Sequence, residues 1–173
     1  MQWPSRKILK LIICSITALL LILIVKSLIL STANVVVGDS MAPTIRDDQW
    51  IITNRLIYKF DQPQRGDVVV IELEEKTYIK RIIGLPNESI EIIDQQLYID
   101  GIPYTQSFIT DASSFKTHDV PLTKIPDHHY YVIGDNRRVS RDSRNSLGFI
   151  NEANIIGRAE FIIYPISDWQ AIY

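Results

Sequence analysis

Hydrophobic positions divide the chain into two unequal parts. Leu11 to Val25, "LIICSITALLLILIV", is uncharged and strongly apolar, and after Lys26 the run "SLIL" extends it to Leu30. Fifteen helical residues span about 22 Å, short of a hydrocarbon core of about 30 Å. Continuing to Leu30 gives about 30 Å if the Lys26 ammonium reaches up to the far interface. Beyond Ala33 the pattern changes to short runs rich in β-branched and aromatic residues: "WIITN", "DVVVIELE", "KTYIKRIIG", "SIEIID", "QLYIDG", "HYYVIGD" and "GRAEFIIYP". Gly, Pro, Asn and Asp punctuate these runs, which predicts strands joined by turns. "IIDQQLYIDG" predicts a hairpin turning at Asp94-Gln95, and Asp100-Gly101 starts the next turn. Residues 105–127 are polar and irregular and predict a long loop or mobile insertion.

The expected fold class is therefore mainly β: an antiparallel sheet or barrel-like domain over residues 34–173, following one N-terminal helix over residues 11–30 and a short segment over residues 1–10. Arg6, Lys7 and Lys10 precede the apolar run, so a membrane-spanning helix would leave the N-terminus in the cytoplasm and the β-domain outside it. The same features, with the small residues Ser31 and Ala33, also describe a cleaved signal peptide. The segment alone supports both.

Composition narrows the function by exclusion. Over 173 residues the net charge is −2, with no basic patch that would suit nucleic acid. The histidines are His118, His128 and His129, without the spacing of a metal cluster, so neither metal nor cofactor is expected. Cys14 stands alone, which leaves no intrachain disulfide.

Candidate chemistry lies in three islands: "GDSMAPT" (Gly38 to Thr44), "YIKRIIGLP" (Tyr78 to Pro86) and "GDNRRVSRDSR" (Gly134 to Arg144). Ser40 is not in a Gly-x-Ser-x-Gly elbow and has no His-Asp pair placed for a triad, so a nucleophilic serine here needs another base. In this order behind an apolar N-terminal segment, the islands resemble the type I signal peptidases, membrane-bound serine proteases. The likeness covers most of residues 35–160 and includes "RGDVVVI" and "IIGRA".

The resemblance implies that Ser40 is the nucleophile and Lys80 the general base. A lysine accepts a proton at neutral pH only if its pKa falls well below about 10.4, and the apolar neighbours Tyr78, Ile79, Ile82 and Ile83 suit desolvation. Ser140 matches the family's hydroxyl that orients the lysine. Asp142 and Arg144 match a bracing ion pair, and Asp135 is a partner for Arg81. The Ser40 backbone N–H is the expected oxyanion donor; Gly38 lacks the hydroxyl that some family members add two residues before the serine. The family binds its substrate extended between the strands that lead to serine and lysine, here Ala33 to Gly38 and Lys76 to Ile79. Val36, Met41, Ile45 and Ile79 are the candidates for shallow apolar pockets accepting an Ala-x-Ala sequence, and each is equally a candidate for ordinary core.

The implied activity is removal of signal peptides from exported preproteins at a lipid bilayer, in a bacterial cytoplasmic or thylakoid-type membrane. Only nine residues separate Leu30 from Ser40, so a retained anchor keeps the nucleophile near the bilayer, which favours anchor over cleaved signal. The alternative function is a silent, membrane-tethered β-module that binds extended peptides.

Overall fold

The computed structural model describes residues 6–108 and 117–172. The N-terminal helix α1 runs Arg6–Leu30 and passes directly into strand β1, Ser31–Val35. The side chains described in α1, residues 6–23, are exposed. No helix among the described residues is long and apolar enough to cross a membrane.

The rest of the described chain is mainly β. The predicted runs become β2 (Trp50–Asn54), β3 (Val68–Leu73), β4 (Lys76–Gly84), β5 (Ser89–Ile93), β6 (Gln96–Ile99), β9 (His129–Ile133) and β11 (Ile155–Tyr164). The short strands β7 (Ile102–Pro103), β10 (Ile150–Asn151) and β12 (Gln170–Ala171) complete the edges. One further strand, β8 at Val120–Lys124, corrects the expectation for residues 105–127: part of that stretch is regular and pairs with β5. Residues 109–116 of the expected insertion lie outside the described residues. The strand escaped detection because it is an edge. It pairs on one side only, carries Pro121, exposes Leu122 and buries only Val120 well.

Two antiparallel sheets result. The larger has the order β1-β2-β11-β3-β4-β9-β10, with β12 on β11, and the smaller has the order β7-β6-β5-β8. The smaller sheet is built from the chain between β4 and β9, two strands that are neighbours in the larger one. Its hairpins turn at the expected places: Asp94 and Gln95 have φ of 48° and 69°, and Asp100 and Gly101 have φ of 51° and 77°. Positive φ at both central residues gives the strands a turn that follows their own twist.

Strand β3 explains how one sheet serves two cores. Successive side chains point to opposite faces, and here both faces are covered. Val68 and Val70 pack with Val36, Met41, Ile45, Ile51, Ala159 and Ile162 on one side. Val69 and Ile71 pack with Ile82, Tyr130, Val132, Ile150 and Ile155 on the other. This is why "VVVI" is continuously apolar rather than alternating. A third core, including Ile83, Ile90, Leu97, Ile125 and Ile133, joins the small sheet to β4 and β9. Through these cores β4 is fixed on both edges and both faces, and β4 carries Lys80.

Gln95, a non-glycine residue at φ 69°, costs about 1 kcal/mol in that conformation. Gln95→Gly is therefore expected to stabilise the domain by about 0.5–1 kcal/mol, read as a higher denaturation midpoint with an unchanged slope.

Candidate active site

The Ser40 segment is a loop between β1 and β2 with a closed neck. The Val36 N–H donates to the Gln49 carbonyl at 2.8 Å, and the Asp48 N–H donates to the Val36 carbonyl at 3.0 Å. Inside the loop Gly38 adopts φ +88°, a conformation that favours glycine. Its N–H donates to Asp47 Oδ1 at 2.6 Å, while Asp39 Oδ1 accepts the Asp47 N–H at 3.2 Å. The Ile45 N–H then bonds the Met41 carbonyl at 3.0 Å. Met41 and Ile45 are buried in the core below and act as plugs, so the turn is pinned with Ser40 half-buried at its top.

Lys80 comes from β4, hydrogen-bonded between β3 and β9. The side chain is 3 % exposed. Its Nζ lies 2.8 Å from Ser40 Oγ and donates to the Ile79 carbonyl at 2.7 Å. Burial lowers its pKa from 10.5 to about 8, against opposing pulls from Asp142 and then Asp135. An amine poised near neutrality beside a serine hydroxyl can take that hydroxyl's proton.

Those two acids are occupied elsewhere. Asp135 receives Arg81 Nε at 3.0 Å and Nη2 at 2.7 Å, and this pair is fully buried. Arg81 Nη1 also donates to the Gly66 carbonyl at 2.7 Å. Asp142 receives Arg144 Nε at 2.9 Å and Nη2 at 2.8 Å, with the Gly134 N–H on its second oxygen at 3.0 Å. Burial alone would raise the Asp142 pKa. The Arg144 hydrogen bonds and charge, with smaller contributions from the Ser140 hydroxyl and the Gly134 N–H, outweigh it and hold the carboxyl below its ordinary value. Each carboxylate thus has its own guanidinium, and neither forms an ion pair with Lys80.

The loop after β9 also grips the serine turn directly, through the Asn136 N–H donating to the Ser40 carbonyl at 3.1 Å. Gly134 makes that approach possible. A Cβ there would sit 2.2 Å from Ser140 Oγ and 2.4 Å from the Ser40 carbonyl oxygen. Ser140 is 4 % exposed and packs against Gly134; its hydroxyl acts on the Asp142 carboxylate, and no hydrogen bond joins its Oγ to Lys80 among the described residues. The expected bond from Ser140 to Lys80 is therefore not formed in this arrangement.

Beside the pair runs a groove of about 490 Å³, walled by Asn34 to Val37 on one side and Lys76 to Ile79 on the other, with Ser40 and Lys80 in its lining. Val36, Met41 and Ile79 are among its lining residues. Ile45 is not: one turn beyond Met41, it is fully buried in the core. The histidines stand apart from the pair. His128 faces Asp127 and Glu152 on an exposed surface, His129 contacts the Asp127 carbonyl, and His118 approaches the Arg144 carbonyl.

Sequence reasoning gave no role to Gly134, Asn136, Gln106 or Thr44. Gln106 is buried and accepts from Arg137, and Thr44 donates to Asp135. Their roles depend on long-range approach, which no local pattern encodes; Gly134 alone carried a hint, as a glycine at the end of a strand.

A buried lysine against a turn-borne serine, next to an open groove between two chain segments, defines the class: a hydrolase site of the Ser-Lys kind. Comparison with known proteins narrows this. The family described as "Signal peptidase, peptidase S26" matches residues 8–164. Signal peptidase I S of Bacillus subtilis is 35% identical over 163 residues, covering 90% of this chain and 88% of that protein. Signal peptidase I U of the same organism is 32% identical, covering 96% and 93%. A crystal structure of a signal peptidase I from Enterococcus faecalis superposes with a TM-score of 0.50 at 30% identity, covering 57% of this chain and 97% of that one. The chain belongs to the signal peptidase family, peptidase S26.

Gly134→Ala is expected to push the Ser40 carbonyl and Ser140 apart. Because reacting groups tolerate displacements of well under 1 Å, kcat should fall by about tenfold or more with KM little changed, measured on a peptide cleaved by the wild type.

Proposed function

We propose that this protein removes signal peptides from exported preproteins as a serine endopeptidase, with Ser40 as nucleophile and Lys80 as general base. The observation that carries the assignment is the 2.8 Å contact between Ser40 Oγ and a buried lysine amine whose neighbouring carboxylates are each bound to arginine.

The steps follow from the geometry. Neutral Lys80 takes the proton of Ser40 Oγ as the oxygen attacks the scissile carbonyl. The tetrahedral oxyanion forms against the Ser40 backbone N–H. The Gly38 N–H is committed to Asp47 and is not a second donor. The Lys80 ammonium then protonates the leaving amine, which frees the mature protein and leaves the signal peptide as an ester on Ser40. Lys80, neutral again, takes a proton from water as the water attacks the ester, and returns it to Ser40.

Substrate enters as an extended strand between residues 34–37 and 76–79, held by main-chain bonds with alternate side chains turned into the groove. Val36, Met41 and Ile79 give its lining apolar side chains, which suits alanine at alternate positions. Asp135, Arg81, Asp142 and Arg144 position the pair without entering the chemistry. Ser140, close to Gly134 and the Ser40 carbonyl, is the hydroxyl this reading assigns to orient Lys80.

The membrane part of the proposal rests on the sequence. The apolar run continues through Lys26 to Leu30, and the basic residues Arg6, Lys7 and Lys10 precede it. We read it as a single anchor with the N-terminus cytoplasmic and the peptidase domain outside.

Ser40→Ala and Lys80→Ala are each expected to abolish cleavage of a preprotein with an Ala-x-Ala site, with the product N-terminus mapped by mass spectrometry. Cleavage that survives Lys80→Ala would remove lysine as the base, and a folded wild type that only binds the peptide would support the silent module instead. Since only the neutral amine is a base and its pKa is about 8, kcat/KM should rise about tenfold per pH unit below 8 and level off above it.

A further inference from the structure

The loop that carries Ser40 and the strand that carries Lys80 come from distant parts of the sequence, and their relative position sets the 2.8 Å contact. The Ser40 end of the loop is fixed by its carbonyl, which accepts from the Asn136 N–H at 3.1 Å. Four residues on, Thr44 Oγ1 donates to Asp135 Oδ2 at 2.6 Å. Asp135 precedes Asn136 in the chain, so both ties run to one dipeptide. The same Asp135 carboxylate holds Arg81, through Oδ1 at 3.0 Å and Oδ2 at 2.7 Å, and Arg81 adjoins Lys80 in β4. A single buried carboxylate therefore receives one bond from the nucleophile's loop and two from the base's strand.

From this connection we infer that Thr44 is a positioning residue, whose hydroxyl fixes the nucleophile loop to the base strand through Asp135 and so sets the Ser40–Lys80 register. The inference rests on the Ser40–Lys80 assignment. The residue type fits the task. Asp135 already carries a full guanidinium, so a second cation is unnecessary, and a hydroxyl supplies one short bond to an ionised acceptor, stronger than a neutral pair. Thr44 is half-buried, which leaves the bond partly shielded from water while the side chain remains replaceable without opening the core.

Thr44 also affects the electrostatics of the base. The charged groups acting on Lys80 are Asp142 and Asp135. Around these stand Arg144 on Asp142, Arg81 on Asp135, and the buried Arg137, which feels both acids as well as Arg81 and Arg144. A carboxylate that loses a hydrogen-bond donor offers more unneutralised charge to a nearby ammonium. Removing the Thr44 hydroxyl therefore favours the protonated lysine.

The test uses full-length protein in detergent and a peptide with an Ala-x-Ala site, comparing wild type, Thr44→Val, Thr44→Ala, Thr44→Ser and Lys80→Ala. Loss of the hydroxyl in the Val and Ala variants should lower kcat by about tenfold with KM within about twofold, and move the acidic limb of the kcat profile to higher pH. Thr44→Ser, which keeps the donor, should restore kcat to within about threefold of wild type and return the limb to its original position. A simple packing role would move neither the pH limb nor the split between kcat and KM. Wild-type kcat and an unmoved limb in Thr44→Val or Thr44→Ala would overturn the inference, as would a Thr44→Ser variant no better than either. Cleavage retained by Lys80→Ala would instead sink the Ser40–Lys80 assignment beneath it.

Discussion

A primary amine held out of water, with no carboxylate paired to it, is the constraint around which the site is built. Burial makes the ammonium form of Lys80 costly, and any ion pair would cancel that cost. Two acids nonetheless stand close enough to act on it. Each is bound in a two-pronged contact with its own arginine, and both pairs are fully buried. Breaking such a pair by removing one partner costs about 3–5 kcal/mol, so the acids stay engaged and the lysine stays uncompensated. The arginines neutralise the carboxylates beside the Lys80 amine, and they do so from within the framework that also aligns it.

The small sheet takes part in that framework. It leaves the larger sheet after β4 and returns at β9, so the chain on either side of it carries Lys80 and the Asp135 loop. Its contacts run back toward both. Gln106 receives Arg137 from the loop after β9, and the Arg81 guanidinium lies 4.4 Å from the centre of the Phe108 ring. Arg65, just before β3, bonds the Ile83 carbonyl and Glu88 and stacks on Tyr104 at 5.3 Å. These cation–ring contacts are worth about 0.5–2 kcal/mol each, and they seat one sheet against the other where the guanidinium chain already runs.

Most of the architecture could be read from local pattern. Seven strand-like runs became strands, and the turns at Asp94-Gln95 and Asp100-Gly101 fell where Asp and Gly allow positive φ. The edge strand Val120–Lys124 could not be read, because an edge buries little and tolerates proline. At the site, the three islands brought Ser40, Lys80, Arg81, Asp135, Asp142 and Arg144 together, and the two ion pairs form between the residues named for them. The misses at the site are of two kinds, one local and one long-range. Ile45 was offered to the groove when its depth is set by a helical turn after Met41. The close approach at Gly134 and the Thr44 bond to Asp135 join segments some 90 residues apart. Sequence neighbours reveal which face a residue takes in its own element, not which distant backbone will come to rest against it.

One feature of the chain's path bears on how the protein works in place. Helix α1 ends at Leu30 and β1 begins at Ser31, and β1 pairs along its whole length with β2. No slack lies between them. A peptidase domain on a flexible leash would sample a hemisphere of positions and meet bonds at many heights. Here the helix is spliced to the strand whose continuation walls the groove. If the helix is the anchor, the domain behaves as a depth gauge, admitting bonds presented at one height above its own tether and passing over identical sequences held nearer or farther.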